Sequence, residues 1–428
     1  MVELTNALVD AVVTTGKHAS GSSTSVMVIV DDLRQGVLAA LEATVQSAVT
    51  DQQNLSQLSY FPLLAPLSRL ISESKNVELQ AAGLRLLTDL LPSVFKVEKS
   101  IENMRLSDLL RVVLPTVDHL MDASDPLPTL TASFLLGCCQ ISPKVVKSLA
   151  TSKKTMEVIV TTLWNYERRP ATLIVQHLLE ILDVILAQPT CDLSLFLQPN
   201  LIEAVITIVN CLFDSLGTQL NQTFNNNAID SVSRPLLAVL SIINNILRHV
   251  ALAARKAIQA RQQGNPSAVQ ETAEEALKTS KGLTQLDAIL VSLLLVDDGD
   301  IVDTAASILS LLAQLYGPSE LHFTLTEDNV HVWVNALGGG TQMSLPPAAR
   351  AKSLLRTLRR LVQQPDSAPA RFAAKNCDGL KKAVERLSTS SFQTTSSAVS
   401  AAEPPSSSTA TEVASIIQLA NEISAALK

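Results

Sequence analysis

The chain has 428 residues, 47% hydrophobic and only 3% aromatic, which excludes a mainly disordered protein and points to helices packed through Leu, Val, Ile and Ala rather than to sandwiches or barrels. Its 33 basic and 40 acidic residues give a net charge of −7, which argues against affinity built on neutralising phosphates, so nucleic acid is not an expected partner. Five Cys, an odd number, with Cys138 and Cys139 adjacent, suit neither a mutual disulfide nor a zinc pattern and point to reducing, cytoplasmic surroundings.

Met1 to Gly16 carries Glu3 and Asp10 and no basic residue before its apolar positions, which is wrong for a secretory signal. The sequons Asn54-Leu55-Ser56 and Asn221-Gln222-Thr223 are therefore expected to be unused. Apolar stretches such as 235–247 and 304–319 fall short of the roughly 18 clean apolar residues of a membrane span. Along the chain the repeated event is an apolar helix, a short polar turn, then a second apolar helix that begins with small residues. The turns Ser72–Asn76, Asp122–Pro126, Glu167–Pro170 and Asp297–Asp300 show it best, each rich in residues that cap or break helices.

After the first turn comes VELQAAGLRLLTDLL (77–91) and after the last IVDTAASILSLLAQL (301–315), which superpose without a gap. Val77 falls on Ile301, Ala81 and Ala82 on Ala305 and Ala306, Leu84 on Ile308, Leu87 on Leu311 and Leu91 on Leu315. These positions share one helix face, and the Ala pair lets a neighbouring helix approach closely. A unit that recurs and cannot bury its own stripe is the signature of a solenoid. Residues 61–93 resemble an armadillo repeat from its second helix through its third, and units follow near 109–141, 145–189, 199–251, 284–316 and 328–364. The chain thus resembles the armadillo/HEAT superfamily, which implies an all-α, right-handed α-α superhelix over residues 1–365. Two stretches depart from it: an Asn-rich loop at 214–232, and a polar helical pair at 252–283 broken at Gly264-Asn265-Pro266, with Glu274 and Lys278 spaced for an i,i+4 pair. Armadillo proteins that import nuclear cargo resemble one another in a Trp with an Asn one turn later, and Trp164-Asn165 and Trp333/Asn335 lack that spacing.

The search for chemistry finds no His-Glu-x-x-His, no Cys-x-x-Cys and no G-x-S-x-G elbow. Gly338-Gly339-Gly340 lacks the Lys-Ser/Thr of a phosphate loop and sits where a helix ends. Asp297-Asp298-Gly299-Asp300 with Asp303 lacks the alternating spacing of a calcium loop and reads as helix capping. No enzyme activity, cofactor or metal is expected.

The segment 348–364 separates an apolar face (Leu354, Leu355, Leu358, Leu361, Val362) from a basic one (Lys352, Arg356, Arg359, Arg360), with Arg350 a further candidate binding residue at the border of the apolar face. It lies within 341–388, whose net charge is +7 against −6 for 1–130. Residues 366–388 read as a basic capping helix. From Ser388 to Thr411, 14 of 24 residues are Ser or Thr, so 389–411 reads as a disordered linker. Residues 412–428 recover helical order, with Val413, Ile416, Ile417 and Ile423 on one face. Such a tethered helix buries its face in its own groove or in a partner.

The resemblance implies a non-catalytic scaffold or adaptor that binds protein through an armadillo-like groove. An acidic protein surface or peptide is the expected partner of the basic helix. One alternative is a membrane-associated trafficking tether using 348–364. Another is the regulatory repeat region of a larger signalling or cytoskeletal assembly.

Overall fold

The computed structural model describes residues 7–11, 32, 34–43, 46, 67–72, 76–94, 113–188, 196–221, 226–262, 267–339, 346–364, 368–389 and 407–427. Every regular element among them is helical. Contacts divide the chain into two compact units, Met1–Leu195 and Phe196–Lys428, where the sequence alone reads as one array to residue 365.

In the first unit, α1 (Val77–Val94), α2 (Leu127–Ile141), α3 (Pro143–Thr151), α4 (Lys153–Tyr166) and α5 (Leu173–Leu186) follow one another. Helices α1, α2 and α5 pack in series, and α3 lies against α2 and α5. Asn76 starts α1: its Oδ1 accepts the N–H groups of Glu78 at 2.8 Å and Leu79 at 3.3 Å, satisfying donors that the helix cannot. Ala81 and Ala82 are buried as expected, and Gly83 beside them lies close against residues 67–71. A Cβ on Gly83 would stand 3.0 Å from Ile71 Cγ1. Val77 is an exception to the stripe, being exposed where its counterpart Ile301 is buried.

The second unit contains α6 (Pro199–Asn221), α7 (Asn226–Gln262), α8 (Ser267–Ser280), a 3-10 turn (Lys281–Leu286), α9 (Asp287–Leu293), α10 (Gly299–Leu315) and α11 (Val330–Ala336). It continues with α12 (Ala348–Gln363), α13 (Ala368–Asn376), α14 (Asp378–Thr389) and α15 (Ser407–Leu427). Helices α7, α10, α12 and α15 stack in that order, each on the next. Polar ties cross each step. Ser307 Oγ donates to Asn244 Oδ1 at 2.9 Å, Arg350 Nε donates to Asp303 Oδ1, and Arg359 Nη1 donates to Glu422 Oε2 at 2.9 Å.

Several expectations change. The Asn-rich stretch 214–232 is mostly helical, extending α6 to Asn221 and starting α7 at Asn226. Residues 252–262 are the second half of the 37-residue α7 rather than part of a separate insertion. The break at Gly264-Asn265-Pro266 lies outside the described residues. Glu274 accepts from Gln270 Nε2 at 2.7 Å instead of pairing with Lys278. The expected capping helix over 366–388 is two helices, α13 and α14, and the terminal helix begins at Ser407, inside the stretch expected as linker. Helices α6 and α7 are long and apolar enough to cross a membrane by length and composition alone. Many of their apolar side chains, among them Leu201, Val205, Leu236 and Ile243, are core residues of the second unit.

The punctuation residues do what their chemistry suggests. Asp298 caps α10, its Oδ1 accepting Asp300 N–H at 3.0 Å and Ile301 N–H at 3.3 Å. Gly338 takes φ +79° after α11. Its N–H bonds Asn335 O at 2.9 Å while Gly339 N–H reaches Val334 O at 2.8 Å, the paired closure of a glycine-terminated helix. Cys138 and Cys139 are packing residues. Burial pushes both thiols up, Cys139 to about 12, which leaves them without nucleophilic thiolate at neutral pH.

Candidate protein-binding surfaces

The basic helix α12 is built as sequence periodicity suggests, but its two faces have different fates. Leu354, Leu355, Leu358, Leu361 and Val362 are all buried. A helix that lies on a membrane needs such a face free, and here it is core. The basic face is also partly used. Arg350, with a side chain only 18% exposed, is held by Asp303 and donates from Nη2 to Gly299 O at 3.2 Å, so it fastens α12 to the start of α10. Arg359 is half-buried against Glu422 of α15, whose carboxyl is held below the usual range chiefly by the hydrogen bond from Arg359 and then by that from Gln418. Lys352 is intermediate in exposure and engaged with other groups of the molecule. Arg356 and Arg360 remain exposed.

Helix α15 lies on α12 and α14, with a smaller contact to α13. Ile416, Leu419, Ala420, Ile423 and Leu427 are buried, whereas Val413 and Ile417 are intermediate at the edge of that face. The outward side carries Ala414, Gln418, Asn421 and Ala425.

Sequence reasoning passed over the second half of α7. Arg248, Leu252, Arg255, Lys256 and Gln259 are exposed and fall within a sector of about 100° on the helix. Leu252 is 50% exposed; Ile258, about 60° outside that sector on the Arg255 side, is 59% exposed. Arg248, Arg255 and Lys256 make no ion pair among the described residues, although exposed Glu271 and Glu275 lie on the adjoining α8. The available signal was two aliphatics, Leu252 and Ile258, inside the basic run from Arg248 to Arg261, at the start of the stretch that reads as a polar helical pair.

A second feature is an open cleft of about 620 Å³ beside the 3-10 turn, lined by Lys281, Gln285, Asp287, Glu320, His322 and Phe323. Asp287 organises it from beneath. Its Oδ1 accepts Ala288 N–H at 2.7 Å and its Oδ2 accepts Phe323 N–H at 2.8 Å, while burial pushes its pKa up. Trp333 Nε1 donates to Thr324 O at 2.8 Å, and Lys281 and Glu320 pair at 3.0 Å across the rim. Phe323 is left 62% exposed. No nucleophile–base pair is assembled there, and among the described residues no group of three or more His, Cys, Asp or Glu is placed to hold a metal.

The helical stacks α1–α2–α5 and α7–α10–α12–α15 belong to a fold matched by a solved structure concerning a phosphorylation switch in the interaction between cadherin and beta-catenin. That match has 14% identity and TM-score 0.55, and covers 97% of this chain and 60% of that one. The fold is that of the armadillo/HEAT superfamily. A family model described as serine/threonine-protein kinase ULK4-like, HEAT repeats, matches residues 4–147 of this chain. The mouse serine/threonine-protein kinase ULK4 is 27% identical over 359 residues, covering 82% of this chain and 26% of the mouse protein. The chain therefore spans about a quarter of that relative's length. The karyopherin Kap121p, in a mutant form, aligns at 13% identity and TM-score 0.37 over 92% of this chain and 36% of its own.

Proposed function

We propose that this chain is a non-catalytic protein-binding scaffold, the repeat region of a larger signalling assembly, and that the outer face of α7 takes an acidic amphipathic partner. The match to HEAT repeats of ULK4-like kinases, over a fraction of the mouse kinase's length, supports the repeat-region part of the reading. The buried, unreactive Cys138 and Cys139 fit a reducing, cytoplasmic setting. One observation carries the binding reading: Leu252 is bare to solvent among Arg248, Arg255 and Lys256, with exposed Ile258 one turn from Arg255. Exposed aliphatics cost solvation and free cations attract acids, so a helix with a Leu stripe bordered by Glu satisfies both.

The test is titration of a fluorescein-labelled Leu/Glu amphipathic peptide into the protein. Binding that weakens at least tenfold in Leu252→Asp/Arg255→Glu, and falls with added salt, supports the reading. Equal binding by the variant, or none up to millimolar peptide, overturns it. Arg356→Glu/Arg360→Glu serves as the comparison that locates the surface on α7 rather than α12.

A further inference from the structure

Helix α15 differs from α10 of the same stack in how it is delivered. Between α9 and α10 the chain spends only residues 294–298, so the position of α10 is dictated by its neighbour in sequence. Between α14 and α15 lie residues 390–406, 17 residues rich in Ser and Thr, with a covalent reach of up to about 60 Å. Contact alone therefore places α15. That contact is specific: Ile416, Leu419, Ala420, Ile423 and Leu427 are buried against the seat, and Glu422 Oε2 meets Arg359 Nη1 at 2.9 Å. The outward side is small or polar, which makes α15 the end of its stack.

We propose that the seat on α12 and α14 is an exchangeable helix site through which two copies of this chain associate, each lending α15 to the other. A second copy is the fitting occupant because its α15 reproduces every apolar contact and the Glu422–Arg359 pair at no change in chemistry. The preference between cis and trans is then set by concentration. A tether of this length presents α15 to its own seat at an effective concentration on the order of millimolar. Dilute protein is therefore monomeric, and crowding copies on a shared partner or shortening the tether makes the exchanged pair. This is domain swapping, which needs no new interface.

Two experiments decide it. Deleting residues 390–406 joins Thr389 to Ser407 and leaves no chain to carry α15 back onto the α14 that precedes it. Light scattering at about 50 μM should then report a dimer with amides 413–427 protected from exchange. A monomer with those amides protected, or a monomer with them unprotected, overturns the proposal. The second experiment keeps the full chain and uses a labelled peptide of residues 407–427. It should bind Ile416→Asp protein at least tenfold more tightly than the natural protein, whose seat is filled. Should Ile416→Asp fail to fold, Glu422→Arg opens the same seat. Arg359→Glu protein should prefer the peptide carrying Glu422→Arg over the natural one, which fixes the register. Binding to neither protein, equal binding to both, or equal binding of a scrambled peptide of the same composition overturns the exchange.

Discussion

At Gly339 there is no room for a side chain. A Cβ would sit 2.9 Å from Val334 Cγ1, 3.0 Å from Ala383 Cβ and 3.1 Å from Val334 O, so α11 and α14 meet across a bare backbone. Gly339→Ala should destabilise the second unit by about 1–3 kcal/mol in urea unfolding, as overpacking of a tight contact does; no change in midpoint would contradict that contact. Asp287 is the other residue whose chemistry can be isolated. Its pKa is raised above the ordinary 3.8 mainly by burial, against the backbone hydrogen bonds from Phe323 and Ala288. The folded state thus holds this proton more tightly than the unfolded chain. The contribution of Asp287 to stability is full below about pH 4 and is lost as pH rises through its folded pKa. In Asp287→Asn that slope disappears, and the single amide oxygen leaves one of the two N–H groups short of an acceptor, at about 1–3 kcal/mol. Stability of the two proteins measured from pH 3.5 to 7 should show the natural protein's advantage shrinking with rising pH; a constant difference would refute the assignment.

Among elements, α12 shows how much of a site a sequence reveals and where that stops. Its apolar stripe was legible because packing against a core is periodic along one helix. The use of its charges was not, because Arg350 reaches Asp303 across 47 residues and Arg359 reaches Glu422 across 63, and no local pattern encodes such pairings. The caps at Asn76 and Asp298 and the glycine stop at Gly338 were readable for the opposite reason, since each acts within a few residues of itself. The Asn-rich stretch near 221 misled because polarity was taken for a loop, whereas most of it carries on the flanking helices. The two faces of α12 also separate by mutation. Leu358→Ala should cost about 2–5 kcal/mol by opening a core cavity, while exposed Arg356→Glu should stay within about 0.5 kcal/mol. Thermal melts of both variants check the contrast, and comparable losses would mean that the basic face is structural.

At the scale of the whole molecule, the all-α class followed from composition and the solenoid from the repeated Ala-pair helix start, with armadillo/HEAT added by resemblance, whereas the division at Leu195 and Phe196 did not follow. A gap-free superposition of 77–91 on 301–315 speaks for continuity, because each repeat buries its face on the next whichever unit it belongs to. What marks the boundary is the distribution of contacts, which sequence periodicity does not carry. The second unit contains a full helical stack from α7 to α15, its own terminal helix, and the polar ties Asn244–Ser307, Asp303–Arg350 and Arg359–Glu422. Residues 196–428 produced alone should therefore fold. Nearest-neighbour stability predicts a strongly helical circular dichroism spectrum and one cooperative melt, since every step of that stack is retained. The same fragment ending at residue 389 loses α15 and should melt earlier, because Leu354 to Val362 on α12 and Leu380 to Leu387 on α14 then lack their last cover. A broad, uncooperative melt for 196–428, or identical melts for the two fragments, would mean that the second unit draws its stability from elsewhere and that α15 is not its end piece.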